Sequence, residues 1–186
     1  MTENSGGHMT KQDRSIDAGF VVLLCFVVGS LISAVLLHLA WSGPIGPFYM
    51  VQLLAAWGLN IVLALAVLAF VPGGSGLKGV ALIQVVLAFA VVLLEDSSNP
   101  PYSLYFGLGL AVWAFRLRDS YFAAASVVAL GVVVYNHFYS FGPGEAPAVS
   151  YSATAGLALA LVLRWMANKK RQRPHAATNG PRLGNN

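Results

Sequence analysis

From Ala18 to Ala40 the chain runs without a single Asp, Glu, Lys or Arg. That block restricts the fold more than any other feature. An α-helix needs about 20 consecutive apolar residues to cross a hydrocarbon layer roughly 30 Å thick. The block is too long for a strand of a soluble core, and it lacks the alternation of an outer-membrane barrel strand. It also exceeds the apolar core of a signal peptide, and no clear Ala-x-Ala site follows, so it reads as a retained span. Composition agrees: the chain is 57% hydrophobic and 10% charged, whereas soluble domains carry roughly a quarter charged residues. Backbone groups in lipid must be satisfied within the segment, which leaves helices. The expected fold class is an all-α polytopic membrane protein.

Six spans are expected. The first runs from Ala18 to Trp41 and stops at Gly43-Pro44-Ile45-Gly46-Pro47, because proline cannot continue the helical ladder. The second covers Phe48 to Val71 and is followed by the turn Pro72-Gly73-Gly74-Ser75-Gly76. The third spans Gly79 to Leu94, and the fourth Tyr102 to Phe115. This fourth run falls short of the length needed to cross, so it is expected to stand with little tilt or to re-enter. The fifth covers Ser120 to Tyr139 and the sixth Ala148 to Ala167, separated by Gly142-Pro143-Gly144-Glu145-Ala146-Pro147. Residues 1–17 read as a polar cytoplasmic arm, 18–167 as the transmembrane domain, and 168–186 as a basic cytoplasmic tail.

Charge gives the topology a direction, since cytoplasmic loops are enriched in Lys and Arg. Lys11 and Arg14 precede span one, Lys78 lies between spans two and three, and Arg116 and Arg118 lie between spans four and five. The remaining basic residues, Arg164, Lys169, Lys170, Arg171, Arg173 and Arg182, close or follow span six. The opposite side holds Glu95, Asp96 and Glu145 with no Lys or Arg, formally −3 against +7. A chain whose fourth segment failed to cross would exchange Arg116, Arg118 and the tail between compartments and destroy this bias. The expectation is therefore three helical hairpins with outward tips in the cell's cytoplasmic membrane, with both termini inside. Arg164 is expected to snorkel to the cytoplasmic surface. Lys169, Lys170, Arg171 and Arg173 are expected to lie on anionic lipid, which accounts for the positive charge without nucleic acid.

Each outward-running helix ends near a titratable group: His38 before Gly43-Pro44, Glu95-Asp96 before Asn99-Pro100-Pro101, and His137 before Gly142-Pro143. Together His38, His137, Glu95 and Asp96 form a candidate metal, haem or proton-transfer site at the outer rim, because imidazole and carboxylate suit Zn, Cu or Fe. The competing expectation is an interfacial belt in which Trp41, Tyr135, Tyr139 and the histidines act as amphipathic anchors. Neither His-x-x-x-His nor His-Glu-x-x-His occurs. Cys25 is the only cysteine, so no internal disulfide or thiolate cluster can form.

Asn60, Gln84 and Asn136 are the amides in or near the spans. An amide in hydrocarbon needs a partner, so Asn60 and Gln84 are expected to face other helices. The alternative places the three on a solute path near the midplane. Gly29 with Ser33, Gly107 with Gly109, and Ala123-Ala124-Ala125-Ser126 are expected to permit close helix packing. No phosphate-cradling Gly-x-x-x-x-Gly-Lys-Ser/Thr and no Gly-x-Ser-x-Gly elbow is present, which lowers the expectation of an enzyme. The functional expectation is a small transporter or permease-type subunit that forms homo- or hetero-oligomers. A redox or metal-handling subunit, and a non-catalytic assembly, immunity or sensing protein, are the alternatives.

Overall fold

The structure is a computed structural model that describes residues 11–42, 49–72, 76–94, 103–138 and 145–177, with side chains described for 18–39, 58–72, 76–94, 103–135, 138, 145 and 147–170. Among these residues the chain is all-helical, with α1 (Lys11–Ser42), α2 (Tyr49–Phe70), α3 (Leu77–Leu94), α4 (Leu104–Leu117), α5 (Ser120–Phe138) and α6 (Glu145–Ala177). Three stretches are long and apolar enough to cross a membrane: Ala18–Leu39, Leu77–Leu94 and Pro147–Lys170. Only 33% of each of these windows is buried within the protein. The remainder presents side chains such as Leu93, Leu94, Val86 and Leu159 outward. Apolar surface of that extent is not sustained in water, and it matches a lipid environment.

Two helices run several residues beyond their expected spans, and α3 and α4 each extend by two at one end. α1 begins at Lys11, within the segment expected to be a loose arm, and α6 continues through the basic tail to Ala177. Once an apolar segment nucleates a helix, each added residue gains a backbone bond, and Lys, Arg and Gln propagate it readily. Pro147 is accommodated because it stands in the first turn of α6, where its missing N–H has no intrahelical acceptor.

Sequential helices pack side by side, α6 closes the circuit against α1, and α1 also meets α4 across the middle. The paired residues show antiparallel neighbours. Against α6, Gly19 of α1 stands beside Arg164, Ser30 beside Thr154, and His38 beside Tyr151. Against α4, Gly19 meets Leu117 while Phe26 meets Gly109 and Tyr105. Gly76, just before α3, faces Arg116 at the end of α4. The starts of α1, α3 and α5 and the ends of α4 and the apolar part of α6 therefore share one end of the bundle.

The centre is built around α4. Trp113, Tyr105, Phe26, Phe106 and Phe122 are its largest fully buried side chains. Phe26 stacks on Tyr105 at 5.9 Å and meets Phe106 edge-on at 6.3 Å. Gly109 makes room for the Phe26 ring, since a Cβ there would lie 2.8 Å from it. Fourteen residues of α4 rise only about 21 Å, less than the bilayer core. Its N-cap Ser103 bonds to Asn60, halfway along α2. The helix with the least apolar length is thus the one enclosed by protein, and it starts level with the middle of its neighbour. Gly29 and Gly107 serve the expected packing role: Leu63 fills the space over Gly29, and the Leu130 backbone nitrogen would stand 3.2 Å from a Cβ at Gly107.

Candidate functional site

Among the described residues the interior polar groups fall into five small clusters, each tying one helix to another or to its cap. Gln84 sits on the buried face of α3, in line with Leu77, Ala81, Ala88 and Val91. Its Nε2 donates to the Tyr105 hydroxyl at 2.7 Å, and its Oε1 accepts from Trp113 Nε1 at 2.6 Å. Tyr105 and Trp113 lie two turns apart on α4, so one amide bridges both and fixes the register of α3 against α4. Asn60 Nδ2 donates to Ser103 Oγ at 2.8 Å, and the same hydroxyl accepts from the Tyr105 amide at 3.2 Å, capping α4. Ser30 and Thr154 share a 2.7 Å hydroxyl bond between α1 and α6, and Thr154 also donates to the Ser150 carbonyl. Ser126 donates to the Gly107 carbonyl at 2.9 Å, which the absence of a Gly107 side chain allows.

The fifth cluster carries charge. Arg164 Nε donates to Asp119 Oδ2 at 2.6 Å, and the two side chains are 5% and 16% exposed. The guanidinium carbon lies 5.6 Å from the Phe122 ring centroid, a cation–π arrangement. Gly19 leaves the space that the guanidinium occupies. Arg164 is therefore buried and paired, and the expectation that it snorkels to the surface is corrected: Asp119 holds it inside. Asp119 also accepts from the Tyr121 amide through Oδ1 at 2.9 Å, as the N-cap of α5. Just before it, Arg118 ends α4 in the left-handed conformation, φ 50° and ψ 45°, with its N–H on the Ala114 carbonyl. Asp119 was not singled out by the sequence reading. The available signals were its position as a lone acid in an Arg-rich turn, before a helix start, and the need of an intramembrane Arg164 for a counter-charge.

The other expected site residues are placed unevenly. His38 lies on the exposed side of α1, with its ring edge-on to Tyr151 at a centroid separation of 6.1 Å. Glu95 and Asp96 lie outside the described residues; His137 and Asn136 belong to α5, but their side chains lie outside them. Among the described residues no three His, Cys, Asp or Glu side chains gather to hold a metal. Lys169 and Lys170 project from α6 into the surroundings, and Lys169 Nζ stands 5.0 Å from the Trp165 ring centroid. Arg171 and Arg173 continue the same helix, with side chains outside the described set.

A second feature lies at the Arg-rich end. Ala114, Phe115, Arg116 and Arg118 line a recess of about 430 Å³ beside the end of α4. Asp119 is bound to Arg164, and neither Arg116 nor Arg118 pairs with an acid among the described residues.

No protein-family model, curated protein or solved structure matches the chain.

Proposed function

We propose that the chain is a six-span integral protein of the cytoplasmic membrane, with both termini inside, and that it serves as a non-catalytic subunit of a larger membrane assembly of transporter or permease type. The observation that carries this reading is the bonding of Gln84. Both ends of its amide are engaged by α4, so the group best placed for a midplane solute path instead fixes helix register. Ser30, Ser126 and Thr154 likewise have protein partners. A core held in this way favours a scaffold that presents its outer surface to lipid and to a partner over a conduit through its own centre. The one-sided distribution of Lys and Arg supports the orientation.

Cys25 is the only cysteine, so one substitution, Cys25→Ser, gives a background for mapping. Single cysteines at Ser98 and Gly144 are expected to react with a membrane-impermeant maleimide in intact cells. Those at Ser75 and Asn186 are expected to react only after permeabilisation, and the reverse pattern overturns the orientation. Affinity purification in mild detergent should bring down a stoichiometric polytopic partner or a second copy. Recovery of the chain as a solitary monomer overturns the subunit role.

A further inference from the structure

We propose that the recess beside the end of α4 binds the phosphate of an anionic phospholipid headgroup, with Arg116 and Arg118 as its ligands. This rests on the reading that this end of the bundle meets the cytoplasmic leaflet. Three observations carry it. The recess has about 430 Å³ of space and is lined by two guanidinium-bearing residues, the side chain best suited to grip phosphate oxygens in pairs. The one acid at this end among the described side chains, Asp119, is already bound to Arg164, which leaves the charge of the arginines to a ligand. Arg118 holds a left-handed backbone, where Gly or Asn is the favoured residue and a long side chain costs conformational energy.

The surroundings select a lipid over a dissolved anion. Phe115, which lines the same recess, is 88% exposed and offers an apolar surface to the glycerol and upper acyl chain. Arg116 lies against Gly76, next to the start of α3, where Lys78 is exposed and adds to the positive field. The basic stretch of α6 supplies a general attraction to an anionic surface, while the recess supplies a single saturable position.

The test uses the full chain, delipidated in neutral detergent and titrated in native mass spectrometry with phosphatidylglycerol, phosphatidylcholine or inorganic phosphate. One phosphatidylglycerol should bind ahead of phosphatidylcholine. Arg116→Gln with Arg118→Asn, an exchange suited to the left-handed position, should weaken that first binding by about 25-fold, roughly fivefold per arginine. Arg116→Lys with Arg118→Lys keeps the charges and should retain most of the preference, which separates ligand loss from misfolding. Replacing Lys169, Lys170, Arg171 and Arg173 together by Gln should leave the first lipid bound. Undiminished binding in the Gln/Asn variant, or loss only in the tail variant, overturns the proposal. Displacement of the lipid by equimolar inorganic phosphate assigns the site to a free anion and also overturns it. Binding in detergent does not depend on sidedness, so the cysteine mapping and this titration fail independently.

Discussion

Arg164 and Asp119, 45 residues apart, meet through a 2.6 Å bond that ties the last helix to the turn between α4 and α5. The pair lies against Gly19 and Phe122, so α1, α4, α5 and α6 all converge on it. Removing the Asp119 charge takes this carboxylate partner from the buried guanidinium, and breaking a buried pair costs about 3 kcal/mol or more. Asp119→Asn keeps a capping oxygen for the Tyr121 amide and isolates the charge effect. It should lower the thermal unfolding midpoint in detergent markedly. The double variant Asp119→Asn with Arg164→Met should recover most of the loss, because the guanidinium that lost its carboxylate is gone as well.

Gln84→Leu should destabilise the protein by about 1–2 kcal/mol, since it leaves the Tyr105 hydroxyl and Trp113 Nε1 in an apolar interior without their partner. A double-mutant cycle of Gln84→Leu with Trp113→Phe should give a coupling energy of about 1 kcal/mol, measured by reversible unfolding in mixed micelles. Additive effects would mean that the bond contributes nothing to the fold.

These two clusters also separate what the sequence discloses from what it hides. The helices were legible because an apolar run long enough for lipid specifies a helix without reference to any neighbour. The packing role of Gly29 and Gly107 was legible for a similar local reason. Partnership was not, because it depends on which helix faces meet. Nothing local to Gln84 points to Trp113, and the need of Arg164 for a counter-charge does not say which acid supplies it. The expected outer-rim group depended on depth alone, and its one described member, His38, meets an aromatic ring of α6.

His38→Ala should remove at least the ring contact with Tyr151. Edge-to-face aromatic pairs contribute about 0.5–1.5 kcal/mol, and a fall of that size in unfolding free energy is expected. Metal analysis of the purified protein should return the same content before and after the substitution. Metal lost from both His38→Ala and His137→Ala would instead establish them as shared ligands and favour the redox reading.

The glycines give a contrast that tests the α4–α5 contact directly. At Gly107 an added methyl would press on Leu130, including its backbone nitrogen at 3.2 Å, and would crowd the carbonyl that accepts from Ser126. Backbone cannot move aside as a flexible side chain can, so Gly107→Ala should cost about 1–3 kcal/mol. Gly131, on the same pair's second helix, has nothing within 4 Å of the equivalent Cβ. Gly131→Ala removes backbone freedom from the unfolded chain without a clash, so its effect should lie between none and about 1 kcal/mol of stabilisation. Unfolding free energies of the two variants in the same detergent decide the matter. Equal effects at the two positions would mean that α4 and α5 do not approach as closely as the Gly107–Leu130 contact requires.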